Sequence, residues 1–413
     1  MDSKRSLPFY NFSISEESII LASVSTKISF ANKSIQGSGS VIFYLNKPNL
    51  EIHSIFNGFT EIDKFLVGFD RNNIIFEINN QNIKGWVKDI DYCNSSSVSI
   101  TWQPKTCYIN ALKVSDSKKI NSLFFHLFDL IGDSEFFLEW NNWKLNFNLN
   151  EIEPPLQKKS RRNLFIGCLT TCGNTNFSIK DANNFLHALT YFFSFCMGRW
   201  CNPFSQIGFN RKDVEIWKVW STPKTEYKYV DSWINNDYCH EQYKELFPLF
   251  MDAWSNETLR ETLKITIYWY ITANTIPEIE AKVILMQSAL ERLSYDYIVI
   301  YRKLITDKGF ENLKPASEKI RLLFTLTNSK INIPSELNNL INLKKYSDSP
   351  HVITDIRNSV IHPKQKSQIS SIHIEECADM IIWYYELTLL NILGYKGKYQ
   401  NRLQSYVNYN DMP

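Results

Sequence analysis

The residues of this chain best suited to chemistry stand in Asp355-Ile-Arg-Asn-Ser-Val-Ile-His-Pro363, where an arginine and a histidine are five positions apart. Arginine offers a fixed fork of donors to phosphate oxygens. Histidine, with an ordinary pKa of about 6.5, takes or gives a proton near neutral pH. Asn358, beside the arginine, can orient a phosphate oxygen or the imidazole. These residue types suit RNA cleavage without a metal or other cofactor. The RNA's own 2′-hydroxyl attacks the neighbouring phosphate, one proton is taken, another is given, and a guanidinium neutralises the charge that builds up. No carboxylate cluster for metal ions lies near the segment in sequence.

The pair must be positioned by a helix. His351–Ile361 is predicted helical, and Pro363 ends it. Five helical steps turn through about 140° and rise ~7.5 Å, so Arg357 and His362 do not share a face of one ideal helix. Pro363 disfavours helical geometry at His362 and lets the imidazole turn away. A two-fold pairing of such helices would bring the arginine of one chain toward the histidine of the other. The structural alternative is a helix-end arginine paired with Asp355 or another acid, beside a half-exposed histidine. Glu291, in Ser288-Ala-Leu-Glu-Arg-Leu293, is a supporting candidate that could anchor Arg357 from a neighbouring helix or pair with Arg292 or Lys282 at the surface.

Around this segment the last third reads as a bundle. Apolar spacing and helix-opening prolines predict helices over Pro277–Ile305, Pro315–Leu326 and Pro334–Lys344, and a last one over Ile369–Leu393. That last helix is nearly apolar all round toward its end, which calls for cover on more than one face and suggests a dimer seam. Further helices are expected over Asp181–Cys196, Glu241–Trp254 and Glu257–Ile271. The first part of the chain is β-rich, with predicted strands at Ser18–Phe30, Ser40–Leu45, Asn73–Ile78 and Ser97–Trp102. Phe136–Trp140 and Trp143–Leu149 flank Asn141-Asn142, a hairpin turn. The expected fold class is α+β and multidomain. Residues 1–155 are expected to form a β-rich sandwich or open barrel. Residues 156–275 form a mixed, mainly helical connection, and 276–413 an all-α bundle.

Composition sets the bounds. A chain of 413 residues exceeds one ordinary core, and 44% hydrophobic with 21% charged residues fits a globular protein. A net charge of +2 makes whole-molecule attraction to nucleic acid weak, so phosphate binding must come from a local patch. The N-terminal residues lack the apolar stretch of a signal peptide, and no apolar run is long enough to span a membrane, so a cytoplasmic setting with reduced cysteines is expected. Cys168, Cys172, Cys196 and Cys201 could be assembled into a zinc site, but their spacing is looser than the usual pair, and Cys196 is expected to pack as a small hydrophobe. Glu153–Arg162 reads as a basic linker, or as a basic approach to RNA. Gly37-Ser-Gly-Ser40 reads as a turn, and Trp217, Trp220 and Trp233 as core rather than base-stacking platforms.

Arg357-Asn358-Ser-Val-Ile-His362 has the form Arg-polar-x3-His and resembles the Arg-x(4–6)-His motif of the HEPN superfamily. The long helix with Ser288–Leu293, the proline after the histidine and the closing Glu386–Tyr399 segment extend the likeness over about 277–403. The whole chain looks like the ApeA-type HEPN proteins of bacteria, single-chain antiphage factors with a β-rich N-terminal domain. The resemblance implies a helical bundle that dimerises, a ribonuclease site built from the Arg and His of both protomers, and a phage-derived trigger at the N-terminal domain. It also leaves open a non-catalytic module that binds a nucleotide, RNA or protein. HEPN toxins under nucleotidyltransferase control usually carry a tyrosine two places after the histidine. This chain has Lys364 there, which argues against that control and leaves Lys364, with Lys366, as a possible RNA contact or a solvated charge.

Overall fold

The computed structural model describes residues 18–30, 33–44, 49–57, 74–78, 81–94, 97–106, 108–132, 134–150, 164–222, 224, 230–234, 237–362, 369–404 and 409–411. The chain is α+β, with antiparallel sheets first and helices after. Two compact units are interleaved along the sequence. One comprises 1–129, 145–183 and 203–226, the other 130–144, 184–202 and 227–413. Residues on both sides of position 155 therefore contribute to the first unit.

In the first unit β1 (Ser18–Phe30), β2 (Lys33–Tyr44), β3 (Asn49–Asn57), β4 (Ile74–Ile78), β5 (Gln81–Asn94) and β6 (Ser97–Pro104) close a barrel in the order β1-β2-β3-β6-β5-β4. An open barrel or a sandwich was the expectation. Pairing of β1 with β4, from Thr26 opposite Ile78 to Ser29 opposite Ile75, closes it. Alternate residues of β3 point inward, and Leu50, Ile52 and Phe56 are buried. Trp102 fills the interior, stacked on Phe76 with its indole N–H donated to Ser54 Oγ at 3.1 Å. The expected turn at Gly37–Ser40 is instead part of β2. A Cβ on Gly37 would meet Ile55 O at 2.3 Å, and one on Gly39 would meet His53 O at 2.5 Å, so glycine is needed for the close approach of β3.

The same unit holds β7 (Tyr108–Leu112), β8 (Lys119–Ile120), β9 (Ser122–Phe128), β11 (Trp143–Asn150, from Leu145 on), β12 (Leu164–Thr171), β13 (Phe177–Ser178), β14 (Phe204–Phe209) and β15 (Glu215–Ser221), with β11-β12-β9-β14-β15-β7 in one sheet and β8 paired with β13, while β10 (Phe136–Trp140) belongs to the second unit. Asn141, at a φ of 49°, makes the turn read from Asn141-Asn142. Trp217 and Trp220 are buried, as core residues should be.

The second unit is mainly helical: α1 (Ile179–Met197, from Asn184 on), α2 (Cys239–Ser255), α3 (Glu257–Thr275), α4 (Ile279–Tyr295), α5 (Asp307–Glu311), α6 (Ala316–Leu326), α7 (Asn338–Asn342), α8 (Ser349–Ile361) and α9 (Ser371–Leu393). α4 is central and packs on α3, α6, α8 and α9. It ends earlier than expected: Asp296–Tyr301 widen into a π-helix, with buried Asp296 accepting from Thr262 Oγ1 at 2.7 Å and from Arg292. The helix expected over Pro334–Lys344 is reduced to α7. Glu376 caps that short helix by accepting from the Asn339 and Leu340 amides. The preceding carbonyls are engaged elsewhere: Ile331 O accepts from Ser349 N at 2.8 Å and Asn332 O from the Tyr384 hydroxyl at 2.8 Å. α9 is covered within its own unit by α2, α3, α4, α7 and α8, so its apolar end does not require a second chain. It stops at Gly394, whose φ of 82° is left-handed. Among the described residues no helix is long and apolar enough to cross a membrane.

Candidate functional site

Helix α8 carries the Arg-His segment, and its first turn is pinned at several points. Asp348 caps it by accepting from His351 N at 2.9 Å. Both carboxylate oxygens also receive Arg321 of α6, Nε at 2.7 Å and Nη2 at 2.9 Å. Burial pushes the Asp348 carboxyl up, but Arg321 and the His351 amide outweigh this and hold it below the usual range. Pro350 sits in the first turn, where its missing N–H is not needed. Val352, Ile353 and Ile356 are buried and fix the helix against α4, α6 and α9.

The other face leads to the site. Arg357 is half-buried and donates through Nη1 to Asn358 Oδ1 at 3.3 Å. Its Nε is buried and has no acceptor among the described residues. Asp355, the acid nearest in sequence, does not pair with it. Asp355 Oδ2 takes Lys345 Nζ at 2.7 Å and the Tyr346 hydroxyl at 3.0 Å. Glu291 does not anchor Arg357 either. It accepts from Gln287 Nε2, one turn away on α4, at 2.7 Å.

His362 leaves the helix, as Pro363 led us to expect. Its backbone is at φ −113° and ψ 81°, its N–H donates to Asn358 O at 2.8 Å, and its side chain is exposed. Arg357, Asn358 and His362 thus stand in the last turns and at the C-terminal end of α8, with His362 exposed at the helix end. Pro363, Lys364 and Lys366, and the basic segment Glu153–Arg162, lie outside the described residues.

Cys168 and Cys172 belong to the first unit, Cys196 and Cys201 to the second, where the latter two are buried. Burial pushes the Cys196 thiol well up, away from the thiolate a metal requires. Among the described residues no group of three or more His, Cys, Asp or Glu side chains could hold a metal ion.

Sequence reasoning missed the residues that position the site. Asp348-Ser-Pro carries a readable helix-start signal. Arg321, 27 positions earlier, carries none, because its role depends on how α6 packs against α8.

Residues 256–411 match the family model of the YopA C-terminal domain, and residues 129–230 that of the YopA central domain. A curated relative, the SPbeta prophage-derived uncharacterized protein YopA of Bacillus subtilis (strain 168), is 28% identical over 249 residues, 58% of this chain and 54% of the relative. The chain thus spans about half the length of that relative. No solved structure matches.

Proposed function

We propose that this chain is a metal-independent endoribonuclease of the HEPN type that cuts RNA, transfer RNA being one candidate substrate, in antiphage defence. The observation that carries the reading is the state of Arg357. Its buried Nε has no acceptor among the described residues, and the acid nearest in sequence, Asp355, is engaged by Lys345 and Tyr346. Because Arg357 is only half-buried and has no carboxylate partner among the described residues, the guanidinium is available to a phosphate. His362, exposed one helical end away, is available for proton transfer.

The reaction needs no cofactor. The 2′-hydroxyl of one nucleotide attacks the adjacent phosphorus, its proton passes to a base, and the 5′-oxygen of the next nucleotide leaves as it is protonated. A cyclic phosphate and a 5′-hydroxyl result. Arg357 neutralises the phosphorane, Asn358 orients it, and His362 serves as base or acid. One imidazole per site leaves the second proton step without a group, which favours a homodimer whose partner supplies the other histidine. Ile361 and Ile372, which flank the segment 362–371, are 37% and 47% exposed and offer apolar surface for such a contact. The β-rich unit would sense a phage-derived trigger. The similar Bacillus subtilis protein is prophage-derived, which is in keeping with a phage setting.

Purified protein should cleave RNA in the presence of a chelator, and His362→Ala should lose cleavage by about 10²–10⁴-fold. Equal cleavage by that variant would sink the assignment. RNA binding that needs Arg357 but yields no products would instead mark a non-catalytic phosphate clamp.

A further inference from the structure

Glu51 lies on the outer wall of the barrel and is nevertheless buried. Its neighbours Leu50 and Ile52 on β3 are core residues, and Glu51 itself is only 2% exposed. Polar side chains of three strands cover it. Oε1 accepts from Lys88 Nζ of β5 at 2.6 Å, from Gln103 Nε2 of β6 at 2.9 Å and from Asn49 Nδ2 of β3 at 3.0 Å. Oε2 lies 3.5 Å from His53 Nε2, which in turn is 3.3 Å from the Tyr44 hydroxyl. Burial pushes the Glu51 carboxyl up, but Lys88 and Gln103 outweigh this and hold it below the usual range, so it is ionised at pH 7.

The network adds little that the barrel lacks. Backbone ladders already join β3 to β6 and β6 to β5. Desolvating a carboxylate offsets much of what its ion pair gains. What Glu51 does is fix the orientation of Lys88, Gln103 and Asn49, whose side chains reach solvent. Each keeps capacity unspent among the described residues. Lys88 has further N–H donors, Gln103 its carbonyl Oε1 and a second amide proton, and Asn49 its carbonyl Oδ1. Lys88 is also the extra residue of a bulge between Val87 and Asp89, a device that re-aims one side chain.

Trp86 completes the patch. It is 37% exposed and stands directly opposite Gln103 across the β5–β6 ladder. An exposed indole beside fixed donors and acceptors suits a sugar ring. A pyranose offers a face of C–H groups to the negative face of the indole, and its hydroxyls both donate and accept, as this mixed set requires. A polyanion fits less well, because the Lys88 ammonium already faces Glu51. An added peptide strand has no edge to join, because the barrel is closed.

We propose that this face of the barrel binds a neutral glycan, with a sugar ring on Trp86 and its hydroxyls on Lys88, Gln103 and Asn49. The binding does not depend on the ribonuclease reading and is measured without RNA.

The test is calorimetric titration of the full chain with four neutral hexasaccharides: cellohexaose, chitohexaose, maltohexaose and mannohexaose. At least one should saturate at one site per chain. Trp86→Ala should weaken it about tenfold and Gln103→Ala about fivefold. Trp86→Phe keeps a ring and should stay within about threefold of the parent, which guards against a folding defect in the alanine variant. Tyr268→Ala removes an exposed ring in the helical unit and should bind like the parent. The glycan assignment is overturned if no hexasaccharide saturates at millimolar concentration, or if Trp86→Ala binds like the parent. It is overturned too if hexauridylate binds more tightly than any of the sugars and loses that binding in Trp86→Ala, which would make the face an RNA surface.

Discussion

Arg402 and Arg357 belong to the same helical unit and meet opposite surroundings. Buried Arg402 uses its whole fork: Nε and Nη2 donate to Glu386 at 3.1 and 2.7 Å, Nη1 to Asn274 Oδ1 at 3.2 Å, and Nη2 also to Asp231 O at 2.9 Å. Glu386 receives the Tyr270 hydroxyl as well, at 2.6 Å. Burial pushes the Glu386 carboxyl up, with Arg402 and Tyr270 pulling the other way. Among the described residues Arg357 has one bond, to its neighbour Asn358, and a buried Nε with no acceptor. Where an arginine holds this fold together, the fold supplies its acceptors. At Arg357 the described residues supply one, from the neighbouring Asn358.

The sharpest way to break this contrast is to remove both guanidiniums in turn. Arg402→Met leaves Glu386 buried without its cation and should cost about 3–5 kcal/mol of stability in urea unfolding. Arg357→Met should cost under about 1 kcal/mol and, on the ribonuclease reading, abolish cleavage. A large stability loss at Arg357 would show that it is a structural residue like Arg402.

The histidines repeat the contrast between buried and available groups. His126 on β9 is buried, and burial pushes its pKa down to about 4, so it is neutral at pH 7. His362 is exposed. The unfolded state takes up a proton at His126 near pH 6.5, which the folded state refuses until about pH 4. Above pH 6.5 there is no difference. As pH falls through this window the folded state loses about 3 kcal/mol, and the loss levels off below pH 4. Thermal unfolding from pH 7 to 4.5 should show this slope, and His126→Asn should flatten it. An unchanged slope in that variant would place the acid sensitivity elsewhere.

Both contrasts separate what a sequence displays from what only packing decides. The helix ends at Ile361 and Leu393 and the turn at Asn141-Asn142 were legible, because apolar spacing, a following proline and turn-forming residues are local signals. Strand β12 was not, because the pattern after residue 155 was read as mainly helical, and Leu164-Phe-Ile-Gly-Cys-Leu169 becomes a strand by pairing with β9. Pro334-Ser-Glu is a sound local helix start, but the helix begins only at Asn338, where Glu376 from α9 accepts from the Asn339 and Leu340 amides, a partner that only packing supplies. Arg357, Asn358 and His362 could be picked out by type and spacing. That Asp355, two residues from Arg357, would turn to Lys345 and Tyr346 could not be read, since it depends on where the 345–348 segment lies.

The smallest expected effect separates positioning from chemistry. Asp348 does two things for α8: it caps the first turn and it holds Arg321. Asn caps as well as Asp does, so Asp348→Asn removes mainly the ion pair, and because Arg321 is partly exposed the cost should be about 0.5–1 kcal/mol. Asp348→Ala removes the cap too and should cost about 1–2 kcal/mol. The difference between the two variants, read from urea midpoints, is the worth of the cap alone. Neither change gives Arg357 an acceptor or takes one away. On the ribonuclease reading, cleavage per folded molecule should therefore stay at the parent rate in both, while Arg357→Met removes it. If Asp348→Ala instead silences cleavage in fully folded protein, the register of α8 matters to the chemistry, and the site depends on the first turn as well as on the residues at its far end.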